Sequence, residues 1–168
     1  SGRCRFQPEW VAAQAVNVAE PLDTPDDLLD IPKARYYAPP ADPDDGRSYI
    51  IAADVAEGLE HGDYSSGVMV DLNTGDELAS LQGKWEPDEY AGKLAALAEV
   101  YDAKIAVERN NHGHAVISKL KTLCPFRIVE GHDEKLGWLT NITTKPIAVD
   151  ALAVALRDGA VKVRTAAA

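Results

Sequence analysis

The apolar and polar positions alternate between two periods along this chain. Tyr49-Ile50-Ile51-Ala52-Ala53-Asp54 is a mostly apolar run that ends in a carboxylate, the pattern of a buried strand. Ser66-Gly67-Val68-Met69-Val70-Asp71 predicts a second strand, Asn73-Thr74-Gly75-Asp76 a turn, and residues 77–84 a third strand, together an antiparallel meander. Over residues 86–101, Tyr90, Leu94, Leu97, Ala98 and Tyr101 fall on one apolar stripe, which predicts a helix. Residues 104–108 read as a short strand that again ends in a carboxylate, 112–120 as a helix, and 126–129 as a further strand. Residues 144–157 read as a helix stopped by Asp158-Gly159, with a last short strand at 161–163. The order β-β-β-α-β-α-β-α predicts an α/β fold with a mixed sheet.

Ahead of this core the pattern weakens. Residues 8–19 and 24–30 read as short helices, the second opened by Thr24-Pro25. Residues 31–47 carry Pro32, Pro39, Pro40 and Pro43 without apolar periodicity and read as an extended linker or wrapping arm. The expected organisation is an N-terminal region, 1–47, approaching a core at 48–168.

Composition bounds the class. The chain has 168 residues, a length suited to one domain, and 46% hydrophobic residues, enough for a core of its own. Two cysteines, Cys4 and Cys124, cannot form a disulfide framework or a zinc site alone, and they fit a reducing compartment. No apolar run approaches the ~18 residues of a membrane span. The chain opens on Ser1 without an initiator Met and reads as part of a longer protein. A net charge of −10 argues against a simple basic nucleic-acid binder. The charge is unevenly spread, however. Residues 48–108 hold 3 basic and 13 acidic side chains, whereas 109–168 hold 9 basic and 5 acidic. An acidic middle followed by a basic end leaves room for a local basic surface.

Asp54 and Glu108 are the first candidates for chemistry. Each ends an apolar strand, at the sheet edge where α/β proteins place their sites. Two such carboxylates on neighbouring strands repel, and a divalent cation resolves the repulsion; hard oxygen donors favour Mg²⁺ or Mn²⁺. The alternative is two surface carboxylates just past strand ends. The loop after Asp54 holds Glu57, Glu60 and Asp63 with Gly58 and Gly62, but no phosphate-loop motif. After Glu108 come Arg109, Asn110, Asn111, His112, Gly113 and His114. Asn110 either orients the carboxylates or caps the next helix. His112 and His114 either assist proton transfer or contact phosphate, or simply begin that helix.

Three stretches in this order resemble one family, the nuclease domain of the large terminase subunit of tailed bacteriophages. They are Asp54-x-x-Glu57-Gly58 with Asp63-Tyr64-Ser65; Glu108-x-Asn110-x-x-Gly113; and Gly137-Trp138-Leu139-Thr140 through Thr144-Lys145-Pro146 to Asp150 and Asp158-Gly159. The resemblance spans about residues 48–163. It implies a ribonuclease H-like fold, an antiparallel meander followed by parallel strands and flanked by helices. It also implies an endonuclease that cuts concatemeric double-stranded viral DNA by two-metal phosphodiester hydrolysis. Asp54 and Glu108 match the catalytic acidic ligands. Asp63 matches a secondary and Glu57 a supporting metal position, with Asn110, Gly58 and Gly113 around them. The implied partners are double-stranded DNA, an ATPase domain on the same polypeptide, the portal protein and the small terminase subunit. The implied place is the host cytoplasm, at the procapsid. The family's third acidic ligand lies on a later helix, usually as an Asp-Asp pair. No such pair occurs between Pro146 and Ala168, and Asp150 is the carboxylate that the last helix offers, so weak metal binding and poor cutting are expected of this stretch alone.

DNA phosphates would meet the basic end. Arg109, Lys119, Lys121, Lys135 and Lys145 are the leading candidates, with Arg127, Arg157, Lys162 and Arg164 beyond them, and such binding should weaken steeply with salt. Two alternatives remain: a non-catalytic docking module of the packaging motor, and another ribonuclease H-like nuclease such as a junction resolvase. An actin-like ATPase would need a second phosphate loop, which the sequence lacks.

Overall fold

Four helices and five strands make up a computed structural model of the chain, which describes residues 5–40, 43–59 and 61–166. Helix α1 is Pro8–Ala13, continued by a 3₁₀ turn at Gln14–Asn17. Strand β1 is Arg35–Tyr36, β2 Tyr49–Asp54, β3 Ser65–Asp71 and β4 Glu77–Gly83. Then come α2 at Pro87–Val100, β5 at Lys104–Val107, α3 at Gly113–Leu123 and α4 at Thr144–Arg157. The sheet order is β1-β4-β3-β2-β5. β2, β3 and β4 form the antiparallel meander, and β5 lies parallel to β2 with Ala53 opposite Val107.

The strands alternate as their sequences require. Ile51 and Ala53 of β2, Met69 of β3, Leu81 of β4 and Ile105 and Val107 of β5 are buried. The same core takes Tyr90, Leu94, Leu97 and Ala98 from the α2 stripe and Val116, Ile117 and Leu120 from α3. Tyr90 reaches through the core to donate its hydroxyl to the Ser66 carbonyl at 2.6 Å. The other face carries Ala52, Val68 and Ala106, which solvent reaches. Asp54 shares the face of Ala52, and Glu108 that of Ala106, because strand side chains alternate.

Three expected elements are corrected. Residues 126–129 do not form a strand. Pro125–Arg127 is a 3₁₀ turn, Phe126 is 90% exposed, and one parallel bridge joins Ile128 to Ile105. Proline at the start fixes φ and removes a donor, so the run cannot open as a ladder. Residues 161–163 likewise contribute one bridge, Lys162 to Asp76. The early helix at 24–30 shrinks to a 3₁₀ turn at Asp26–Leu28. The proline-rich arm is a wrap, not a free linker: β1 pairs with β4, and Tyr36 is 1% exposed. Buried Glu77 ties the end of the chain to the same edge, accepting from the backbone N–H groups of Arg164 (2.7 Å) and Thr165 (3.0 Å).

Tyr36 stacks on Tyr101 with ring centroids 6.5 Å apart, and its buried hydroxyl has no hydrogen-bond partner among the described residues. Burial, with the charge of Asp30, pushes its pKa up to about 12. Removing an unsatisfied buried hydroxyl relieves a desolvation cost of about 1–3 kcal/mol, in part offset by lost packing. Tyr36→Phe is therefore expected to hold or raise the melting temperature, by about 2–4 °C per kcal/mol gained. A fall of several degrees would show that the hydroxyl is satisfied in solution.

Candidate active site

Parallel pairing brings the two carboxylates together. Glu108 follows Val107, and its N–H donates to the Ala53 carbonyl at 2.7 Å, so its side chain leaves the sheet beside that of Asp54. Both carboxyl groups line one hollow at the strand ends. The neighbouring Asp54 carboxyl, followed by burial, raises the pKa of Glu108. The Thr140 hydroxyl and the positive charge of Lys145 act in the opposite direction. A hollow of about 380 Å³ surrounds the pair. Its floor is Ala52, Ala53, Val68 and Ala106, with Ser66 and Trp138 at its sides.

The strand exits are held at a set spacing by Asn110. Its amide donates to the Val55 carbonyl at 3.2 Å, one residue past Asp54, and its oxygen accepts from Gly113 N–H at 2.8 Å, where α3 begins. Of the two roles open in the sequence, the Gly113 bond is the capping one, and the amide reaches the backbone beside Asp54 rather than either carboxylate. Gly113 allows the approach, since a Cβ there would lie 1.9 Å from the Glu108 carbonyl oxygen. Gly58 has φ +76°, and a Cβ there would meet the Trp85 carbonyl oxygen at 2.5 Å, so the loop after Asp54 lies against the start of α2.

The other acidic candidates stand apart. Glu57 pairs with His112 at 3.2 Å, linking the two loops at the mouth of the site. Asp150 pairs with Arg5 at 2.9 Å, and Asp63 is exposed on its loop. Glu60 lies outside the described residues, as does Cys4. Among the described residues no group of three or more His, Cys, Asp or Glu side chains is placed to hold a metal. Asp54 and Glu108 line the same hollow and are the hard oxygen donors there.

The cations divide sharply. Arg109 is not an available phosphate contact: its side chain is 9% exposed and forms an ion pair with Asp133. That bond lowers the pKa of Asp133 and pins the hairpin of residues 130–137 to the end of β5. The lone buried position of an arginine is invisible in a sequence, where its type reads as surface. Arg127 pairs with Asp102, Arg157 with Asp158, and Lys162 and Arg164 with Asp76; Lys119 lies 3.8 Å from Asp88. Lys121, Lys135 and Lys145 make no ion pair among the described residues.

Two residues of the site escaped sequence reasoning, Trp138 and Thr140. Both sit in the Gly137–Thr140 stretch, which signalled the resemblance but offered no role. Trp138 forms a parallel bridge with Glu108 and packs its ring edge-on to His132, 5.1 Å between centroids.

No family model matches the sequence, and no curated protein does. Solved structures do match. The large terminase nuclease from thermophilic phage G20c with bound magnesium superposes with a TM-score of 0.66 at 18% identity, over 92% of this chain and 73% of that one. Its cobalt-bound form gives 0.65 at 18% identity, over 92% and 73%. The Thermus phage P74-26 large terminase nuclease domain gives 0.57 at 18% identity, over 92% and 71%. The chain has the ribonuclease H-like fold of these phage large terminase nucleases, a mixed sheet flanked by helices.

Proposed function

We propose that this chain is the nuclease module of a phage DNA-packaging terminase and hydrolyses phosphodiesters of double-stranded DNA with a divalent cation. The observation that carries the reading is the contact of Asp54 with Glu108 at the ends of two parallel strands, on a fold shared with terminase nucleases. The donor set fits the cation: two adjacent hard carboxylates, which repel each other when both are charged, are the groups that Mg²⁺ or Mn²⁺ prefers. When bound, such a cation neutralises charge on the phosphate and makes a coordinated water acidic enough to attack it.

The chain's own residues do the rest. Asp54 and Glu108 hold the cation, and Asn110 keeps their strands in register. Trp138 and the apolar floor limit water around the reacting phosphate. Lys145, close enough to act on Glu108, and the unpaired Lys121 and Lys135 are the phosphate contacts this reading favours. A second cation would need further oxygen donors, and Glu57 and Asp63 are those nearest along the chain. Partners in this reading are the ATPase domain of the same polypeptide, the portal protein and the small terminase subunit, in the host cytoplasm at the procapsid. No helix among the described residues is long and apolar enough to cross a membrane.

The test is nicking of supercoiled plasmid with Mn²⁺ or Mg²⁺, alongside calorimetric Mn²⁺ binding. Cation-dependent nicking abolished by EDTA is expected. Cutting indifferent to EDTA would overturn the metal mechanism. Absence of both binding and cutting would leave the docking-module reading, and a strong preference for four-way junctions the resolvase reading.

A further inference from the structure

On the side of the carboxylate pair away from Trp138, the pairing of β2, β3 and β4 sets what a substrate would meet. Asp54 lies opposite Ser66, and Ser66 opposite Gln82. Ser66 lines the hollow that holds Asp54 and Glu108. The ladder of β3 with β4 ends on Ser65 and Gly83, and Tyr64 and Lys84 come one residue beyond. Ser65, Leu81 and Trp85 are buried on the core side, and a Cβ on Gly83 would run into the Trp85 ring. Alternation therefore turns Tyr64 and Lys84 to the face of the hollow. There the Lys84 ammonium stands over the Tyr64 ring, 5.0 Å from its centroid, and Tyr64 is 48% exposed. Tyr64 is the diagonal neighbour of Asp54 across the β2–β3 pair, a separation of about 7–8 Å. Lys84 is one strand farther, about 4.8 Å. Phosphates of one DNA strand rise about 3.4 Å apiece, so a backbone bound at Asp54 brings a neighbouring phosphate to this spot.

A cation here runs against the charge of its segment. Residues 48–108 hold three, Lys84, Lys93 and Lys104. Lys93 is committed to Glu89 at 3.3 Å and to the Asp30 carbonyl at 3.1 Å. Lys104 donates to the Phe126 carbonyl at 2.7 Å, at the start of β5 and so at the far end of the sheet. Of the three, Lys84 stands where β2 and β5 deliver their carboxylates.

We propose that Lys84, oriented by the Tyr64 ring, holds a DNA phosphate beside the one that is cut, on the β4 side of the carboxylate pair. The inference rests on the nuclease reading above. An aromatic face fixes the direction of an ammonium without cancelling its charge. Tyr64 is thus a positioning residue, and Lys84 the contact.

Binding of a short DNA duplex in EDTA, followed by fluorescence anisotropy over a series of salt concentrations, tests both parts. Lys84→Gln should lower the slope of log affinity against log salt by about 0.9, the share of one phosphate contact. Lys84→Arg, which keeps the charge, should keep the slope, and so should Lys104→Gln, which removes a charge elsewhere. A loss of packing alone lowers the active fraction and leaves the slope in place. Tyr64→Phe should match the wild type, and Tyr64→Leu should bind about two- to fivefold more weakly with the slope unchanged. An unchanged slope in Lys84→Gln, or an equal fall in Lys104→Gln, would overturn the contact while leaving the nuclease standing. Wild-type affinity in Tyr64→Leu would overturn the role of the ring. A wild type that neither binds duplex nor nicks plasmid would overturn the nuclease reading, and this contact with it.

Discussion

Asp54→Asn is expected to remove metal-dependent DNA cleavage while making the metal-free protein slightly more stable at neutral pH. The fold should survive the change. Asp54 is exposed at the end of β2, its backbone pairs with Ser66, and asparagine keeps its shape. The effect on cleavage should exceed about a hundredfold, since even an outer-shell partner is worth 10- to 100-fold. The effect on stability follows from Glu108. Its pKa is raised in the folded protein, chiefly by the neighbouring Asp54 carboxyl and then by burial. A carboxyl group with a raised folded pKa adds stability that is complete below its unfolded pKa, about 4.3. That stability is lost as pH rises through the folded value. At neutral pH the wild type therefore holds two charges against each other, and asparagine removes one. Water screens this partly exposed pair, so the gain should stay below about 1 kcal/mol. Thermal unfolding at acid and neutral pH, with and without Mn²⁺, checks each part. The wild type should melt higher with Mn²⁺ and the variant should not. A variant that gains as much from Mn²⁺ as the wild type would remove Asp54 from the site.

The second large effect sets two helical glycines against each other. Gly113→Ala places a methyl group 1.9 Å from the Glu108 carbonyl oxygen, and backbone has no rotamer by which to yield. Either α3 or the exit of β5 must shift, which also strains the Asn110 bridge between the strand ends. A loss of about 3 kcal/mol or more is expected, in the upper range for overpacking. That corresponds to roughly 6–12 °C in melting temperature. Gly92 lies exposed within α2, and nothing would stand within 4 Å of a Cβ there. Gly92→Ala should stabilise by about 0.5–1 kcal/mol, because alanine loses less freedom on entering a helix. Melting curves of the two variants side by side are the measurement. Equal, small changes in both would mean that the close approach of α3 to β5 is not kept in solution.

Much of the framework was legible because it is local. The stripe of Tyr90, Leu94 and Leu97 and the alternation in β2 and β3 each reflect a period that neighbours in sequence impose on one another. Asp54 and Glu108 stood out for the same reason, as carboxylates closing apolar runs. The run at 126–129 misled because four residues give too short a sample of any period, and Pro125 overrode it. β1 was hidden in the proline-rich arm, since two residues carry no period and Tyr36 owes its burial to β4 and Tyr101.

The sequence by itself determined the principal helices, the meander and the two carboxylates that close the apolar runs of β2 and β5. Those follow from side-chain chemistry and short-range periodicity. The tertiary structure alone decided which polar groups meet. It placed Glu57 on His112 and Asp150 on Arg5, and it buried Arg109 on Asp133. Each of these pairings joins segments distant in the chain. Their contacts depend on the register of β2 with β5 and on the turn that docks α4, and no local pattern encodes either.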